Sequence, residues 1–560
     1  MSDKLKLVLC WHMHQPEYRD RESGEYKLPW TYLHVIKDYA DMAGHLEAVP
    51  EARAVVNFAP LLLEQIEDYS NQIHCYFRQR TPIKDELLAA LTGTRRPVDD
   101  EVRLKILHDC KKANRERQIN RYPAFRRLIE IAEWGLANQH VVGYFSEQYF
   151  FDLLVWYHLA WLGETVKLSD ERARRLLVKS GGYTLGDRLE LLELIGDLLS
   201  KVLLRYRSLA RQGRIELSVT PYAHPIMPLM LDIACAREAQ PEVMLPEMAA
   251  YPGAKARVDW HIQKGLSMFR EFFGFLPTGC WPSEGGVSEA ALERLAAAGF
   301  SWTASGGSVL HNSLRESGMS GISVHQPFKC SQAQLPCFFR DDGLSDLIGF
   351  EYSKWRAEDA VADLLGHLLR IADLEQETPL VSIIMDGENA WEYFPDNGYY
   401  FLRELYLRLG AHPRIELTTF SEHLRRTADI LRLPKLVAGS WVYGTFSTWV
   451  GDVDKNRAWD MLSEAKAVFD ARLAEGVLSP GQLREAETQL AICEGSDWFW
   501  WFGDYNPGEA VSDFEKQFRL NLTNLYRVLG VEPPAYLALC FAQGMGAPVM
   551  GGAMRRGTEN

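Results

Sequence analysis

Seven short apolar runs, each closed by turn residues and most leading into a helical pattern, constrain the fold of this chain more than any other feature. They are KLKLVLCWHMHQP near residue 8, RAVVNFAP near 55, RIELSVTP near 217, TGCWPSE near 281, GFSWTAS near 302, LVSIIMDGEN near 384 and RIELTTFS near 416. Strands that alternate with helices build parallel β-α-β units, because a parallel strand needs a long crossover to return to the same sheet. About seven such strands predict an α/β fold, a (β/α) barrel that is closed or nearly so. Polar groups gather where each run stops, and barrels of this kind place their chemistry at the C-terminal strand ends. An open doubly wound sheet follows a similar rule and remains an alternative on this pattern alone.

Two long stretches do not fit the strand rhythm. Residues of about 80–210 carry helical spacing, as in DRLELLELIGDLLSKVLLRYRSLARQG, with Gly213 as a stop signal. They read as a helical insertion in a barrel of residues 1–430. Beyond residue 430, NRAWDMLSEAKAVFDARLAEG and PGQLREAETQLAICEG read as amphipathic helices, predicting a C-terminal helical domain over 431–560. The chain carries 61 basic and 75 acidic residues, a net charge of -14. That disfavours nucleic acid and anionic membrane, both of which attract a basic face. No run is long and apolar enough for a span, and the N-terminus does not read as a leader, so a cytoplasmic location is expected. Nine cysteines without a CxxC pair suggest reduced thiols. The sequence leaves the oligomeric state open.

The run ends hold the candidate chemistry. In CWHMHQP, His12 and His14 are two apart and share one face of a strand, with Gln15 next. Such a pair either binds hydroxyl groups or ligates a metal, as a metal-dependent mannosidase or deacetylase would require. Glu216 lies within RIELSVTP, and His224 in the loop beyond it. In GCWPSEGGVS, Glu284 stands beside Trp281 on a turn that Gly285 and Gly286 allow to bend sharply, and Ser288 caps the helix that follows. In LVSIIMDGENAW a buried strand ends in Asp386, Glu388, Asn389 and Trp391. Unpartnered buried carboxylates are costly, so this placement signals use. Glu284 and Asp386 arrive from different strands and can converge at one barrel mouth, the arrangement that cleaves glycosidic bonds.

The series HMHQP, GRIELSVTPYAHP, CWPSEGGVS, MDGENAW and GSWVYGTFSTWVGDVDKNRAW resembles, in order, the motifs of glycoside hydrolase family 57. RAVVNFAPLLLEQIEDY and EGSDWFWWFGD are similar to further stretches of its members. The resemblance implies a catalytic (β/α)7 barrel, an incomplete TIM barrel, followed by a helical domain that contributes to the substrate cleft, and retaining action on α-glucans such as glycogen, starch or maltooligosaccharides, with no metal or other cofactor. Glu284 matches the nucleophile and Asp386 the general acid/base. His12, His14, Gln15, Glu216, His224, Trp281, Glu388, Trp391, Trp441, Trp449 and Asp504 fall at expected substrate-site positions. DGENAW and STWVG look more like the amylopullulanase and α-amylase group, which implies a hydrolase of α-1,4 bonds, with α-1,6 bonds also open to it. A 4-α-glucanotransferase or branching enzyme using the same covalent intermediate is the alternative, and a non-catalytic glycan-binding protein a remote one. Asp342, where relatives often carry His, and Tyr505-Asn506, where they carry Asp-His, depart from the pattern.

Overall fold

The computed structural model describes residues 4–546 apart from 94–98, 249, 331 and 376, so the last fourteen positions of the expected C-terminal domain lie outside the described residues. Ten strands form one sheet: β1 (Leu5–Met13), β2 (Ala54–Phe58), β3 (Ile215–Val219), β4 (Gly279–Cys280), β5 (Trp302–Ser305), β6 (Phe328–Cys330), β7 (Leu335–Phe339), β8 (Leu380–Asp386), β9 (Ile415–Leu417) and β10 (Leu431–Leu433). Along the order β7-β5-β4-β3-β2-β1-β8 every neighbour pair is parallel. These are the seven staves of the incomplete barrel. Among the described residues β7 and β8 share no ladder. Their seam is crossed by Asp341 N–H donating to Ser382 O at 2.8 Å and by Arg340 Nε–H donating to Ile384 O at 2.8 Å.

One expected stave is different. Ile415–Leu417 pairs only with the start of β1, and the seventh stave is β7. Pro336 sits inside β7, and proline is a poor strand signal because it donates nothing to a ladder. Here it faces the antiparallel β6, opposite Lys329.

The two-residue period of a strand decides what enters the barrel. On β1, Val8 and Cys10 face inward; Val55 on β2, Trp302 and Ala304 on β5, Phe338 on β7, and Leu380 and Ile384 on β8 join them in one apolar cluster with Trp281 and Phe420. The opposite parity (Leu5, Leu7, Leu9, Trp11 and Met13 on β1) packs outward under the helices. Both faces are therefore buried, which is why the runs read as continuously apolar.

Helices make up most of the described residues between β2 and β3, from Pro60 to the long helix Leu185–Arg211, which a Thr184–Asp187 capping box opens. After β10, a loop leads to helices Val453–Ala474, Pro480–Cys493, Ser496–Trp501 and Gly508–Val528. This helical region is tied to the barrel by Glu494, fully buried, which accepts from Arg257 Nη2 at 2.7 Å, His261 Nε2 at 2.7 Å and Tyr251 OH at 2.6 Å. All nine cysteines are free thiols. No described helix is long and apolar enough to cross a membrane.

Candidate active site

Inward parity carried one step past the apolar cluster places the polar groups. On β1 His12, and just past its end His14, follow Val8 and Cys10; on β2, Asn57 follows Val55; just past β7, Arg340 follows Phe338; on β8, Asp386 follows Ile384. His12 Nδ1 lies 2.7 Å from Asn57 Oδ1, and its Nε2 lies 3.1 Å from Nε2 of His224. Burial pushes His12 down to about 3, helped by the neighbouring His14, and drives His224 well below its usual range. Both rings are neutral at ordinary pH. His14 stacks face to face on His224 at 3.7 Å and donates from Nε2 to Asp497 Oδ1 at 2.8 Å.

Glu284 sits beyond the two-residue strand β4 on a left-handed backbone (φ 57, ψ 24), followed by Gly285 at φ 59. A Cβ at Gly285 would come within 2.8 Å of the Trp281 ring, so only glycine allows this turn to lie on the indole. The Glu284 side chain, 12% exposed, accepts from Trp441 Nε1 at 2.9 Å, and its carbonyl accepts from Trp441 N at 3.0 Å. Trp441 comes from the loop after β10, which a two-way backbone bridge between Gly439 and Val287 holds beside the Glu284 turn. Burial, then the charges of Asp386 and Asp497, push the Glu284 carboxyl well above the usual carboxylate range, against hydrogen bonds from Trp441 and Ser496.

Asp386 accepts from Asn389 Nδ2 at 2.7 Å. Burial raises its pKa, while Asn389, His14 and Arg340 oppose the rise. Arg340 is fixed from three sides: its Nε on Ile384 O, and its two Nη atoms on Asp342 at 2.9 Å and Asp346 at 2.8 Å. Its guanidinium also lies 5.7 Å from the centre of the Trp441 ring. Glu388 accepts from His14 N at 3.1 Å and Gln15 Nε2 at 3.3 Å, which clamps the end of β1 to the end of β8.

These groups line a cavity of about 590 Å³. His12, His14, Gln15, Glu284, Asp386, Glu388 and Trp441 all face it. His224 lies against its wall through the stacked His14. Other expected site residues lie elsewhere. Trp281 is buried beneath, edge-on to Trp441 at 5.2 Å, and Trp391 is buried with its Nε1 on Gly387 O at 3.0 Å, pinning the turn after β8. Trp449 is buried behind Trp500, at 5.6 Å between rings. Glu216 is at the other end of the barrel: it stands at the start of β3 and accepts from Trp302 Nε1 at 2.7 Å and Ser421 N at 3.0 Å. Its inward parity is right, but its height along the strand puts it at the barrel floor. Asp504 is exposed and does not line the cavity. In the same stretch it is Asp497 that reaches in.

Sequence reasoning missed Asn57, Arg340, Asp497, Trp30, Trp161 and Trp500. Asn57 within VVNF and Arg340 within CFFRDD carried the signal that singled out Asp386, a polar residue ending or interrupting a buried run. Trp30, Trp161 and Trp500 carried none, since they meet only in three dimensions. The departing residues act one layer back. Asp342 accepts from Gly307 N at 3.2 Å and Ser308 N at 2.8 Å as well as from Arg340. Asn506 Nδ2 donates to the carbonyls of Trp500, Trp501 and Phe502, closing the helix that carries Asp497.

His14, His224 and Asp497 offer donor atoms within 4.8 Å of one another, close enough to ask whether they suit a metal ion. Stacked imidazoles direct their in-plane lone pairs in parallel, whereas a tetrahedral ion needs them to converge. The set fits hydrogen bonding to a polyhydroxyl ligand better.

A half-barrel with two carboxyl groups at its C-terminal strand ends, under aromatic walls, defines a carbohydrate-active enzyme fold. The sequence model described as Glycosyl hydrolase family 57 matches residues 8–433, and the chain belongs to that family. Among solved structures, a branching enzyme of the same family from Pyrococcus horikoshii is similar over 99% of both chains, with 14% identity and a TM-score of 0.56. A branching enzyme from Thermococcus kodakaraensis, in complex with glucose and additives, is similar over 96% of this chain and 92% of its own, at 14% identity and 0.56. The α-amylase AmyC from Thermotoga maritima follows at 94% and 93%, 13% identity and 0.54. No curated protein sequence matches.

Proposed function

We propose that the protein acts on α-glucans by a retaining double displacement and passes the glycosyl unit to another sugar, as a glucan branching enzyme or 4-α-glucanotransferase does. The observation that carries the chemistry is the pair Glu284 and Asp386, two carboxyls from different strands facing one cavity in unlike settings. Glu284 attacks the anomeric carbon while Asp386 gives its proton to the departing oxygen. The acceptor hydroxyl then loses its proton to Asp386 as its oxygen displaces Glu284. The hydrogen bonds from Trp441 Nε1 and Ser496 favour the charge on Glu284 that attack requires, against the burial and the Asp386 charge that raise it, and Asp386 gives its proton from the singly protonated pair. Burial raises both groups and the charge of Asp386 raises Glu284 further, so they titrate as a coupled pair, and the singly protonated form is the active one. His14, Gln15 and Glu388 are placed to bind sugar hydroxyls beside them.

Two things favour transfer over hydrolysis. The cleft wall combines Trp30, Trp161, Trp500, Trp501 and Phe514 from separate segments, an apolar enclosure that offers a second sugar stacking faces and limits water. The end-to-end likeness to branching enzymes points the same way. The test is a product profile on maltoheptaose and amylose. Products longer than the starting sugar, or carrying new branch points, are expected. Shorter sugars alone would replace this reading with an α-amylase or amylopullulanase.

A further inference from the structure

We infer that Asn57, His12, His224 and Ser496 form a hydrogen-bond chain whose polarity follows the ionisation of Glu284, with Asn57 and Ser496 as positioning residues. The inference rests on the reading of Glu284 as nucleophile. The links are Asn57 Oδ1 to His12 Nδ1 at 2.7 Å, His12 Nε2 to His224 Nε2 at 3.1 Å, and His224 Nδ1 to Ser496 Oγ at 2.7 Å. Ser496 also reaches the Glu284 carboxyl, which lies 3.8 Å from His224 Nδ1. All four members are buried. Both rings are neutral, so each has one N–H and one lone pair and must pass a direction along the chain.

With Glu284 protonated, the chain runs away from it. Its OH donates to Ser496 Oγ, Ser496 donates to His224 Nδ1, His224 Nε2–H to His12 Nε2, and His12 Nδ1–H to Asn57 Oδ1. With Glu284 ionised, Ser496 must donate to the carboxylate instead. His224 then carries its hydrogen on Nδ1, His12 on Nε2, and the Asn57 amide turns so that Nδ2 donates to His12. The first state holds four hydrogens along the chain and the second three; one proton is released, and no charge rests on either ring. Asn57 tolerates both orientations, since its other neighbours are the hydroxyls of Ser218 and Thr220, each able to donate or accept. The charged or titratable groups around Glu284 outside the chain are His14 from β1, Arg340 beyond β7, Asp386 from β8 and Asp497 beside Ser496.

Ser496→Ala removes the donor, and Asn57→Asp, which only accepts, locks the polarity that withholds it. Each variant should move the acid limb of kcat/KM upward by on the order of one pH unit, and Ser496→Thr should restore it. In wild-type protein with 15N-labelled histidine, the tautomers of His12 and His224 should exchange together across that limb; in Ser496→Ala and Glu284→Gln they should not. An unmoved limb in both variants, or wild-type tautomers that stay constant with pH, would overturn the chain. Full turnover in Glu284→Gln would instead refute the nucleophile reading, and the wild-type tautomer measurement, which needs no catalysis and no variant, would still decide the chain.

Discussion

Replacing Glu494 by glutamine tests whether the buried ion pair at the junction of barrel and C-terminal helices holds the site together. Glu494 has no exposed surface, and Arg257, followed by His261, holds its carboxyl down to about 2 against the opposing effect of burial. Burial lowers the pKa of His261, so Arg257 is the permanent charge opposite Glu494. Taking the carboxyl from its ordinary 4.5 to about 2 corresponds to about 3 kcal/mol of folded-state stability, at about 1.4 kcal/mol per pH unit. The folded value lies below the unfolded one, so this contribution is fully present above pH 4.5 and is lost as pH falls from there through about 2. Glutamine keeps the shape and removes the charge; leaving Arg257 buried without it costs about 3–5 kcal/mol by the usual range for such breaks. A chain of this length need not unfold in one step, so hydrogen exchange is the better assay. At pH 7 the variant should lose protection in residues 480–501 while the barrel strands keep theirs. Turnover should fall as well, because Ser496 and Asp497 follow Glu494 directly. Equal protection in wild type and variant at pH 7 would refute the assignment, and so would an acid loss of protection that the variant fails to abolish.

Glu284→Gln should lower turnover at least about a thousandfold with folding intact, and Glu284→Ala supplied with azide should release a glycosyl azide of inverted anomeric form; an active glutamine variant would dismiss the nucleophile. Since burial raises both Glu284 and Asp386, kcat/KM should fall on acidification at a pH above the ordinary carboxylate range, and a limb at about pH 4 or lower would contradict the shared environment. Trp441→Phe keeps an aromatic side chain, smaller than the indole, and removes the N–H that Glu284 accepts, and should cost about ten- to a hundredfold in kcat with little change in KM. Glu216→Gln should weaken stability by about 1–3 kcal/mol and leave kcat/KM near wild type, because its partners Trp302 and Ser421 lie at the barrel floor; a large loss of activity would return Glu216 to the substrate site.

Local chemistry accounts for the part of the fold and site that is legible in the residues alone. A two-residue period and a continuous apolar run specify a stave buried on both faces, and a carboxylate at the end of such a run is tolerable only where it is used. That logic located β1, β2, β3, β4, β5 and β8, placed Glu284 and Asp386 at one mouth, and marked His12, His14 and Gln15 as its neighbours. The same logic applied to Glu216 found the inward face but not the height, because parity repeats every two residues and says nothing about which layer of the barrel a side chain occupies. β7 was hidden by Pro336, which donates nothing to a ladder and so reads against a strand, although it lies within one, opposite Lys329 of β6. Asp504 and Asp497 stand seven residues apart in one aromatic stretch, and only the docking of the Ser496–Trp501 helix against His14 and His224 selects the second. Strand period and the cost of buried charge were thus enough to define every stave but β7, and the two carboxyls. The cleft wall, the hydrogen-bond partners of Glu284 and the Arg340 seam exist only in the folded chain, because they join segments far apart in sequence whose meeting depends on how every intervening element packs.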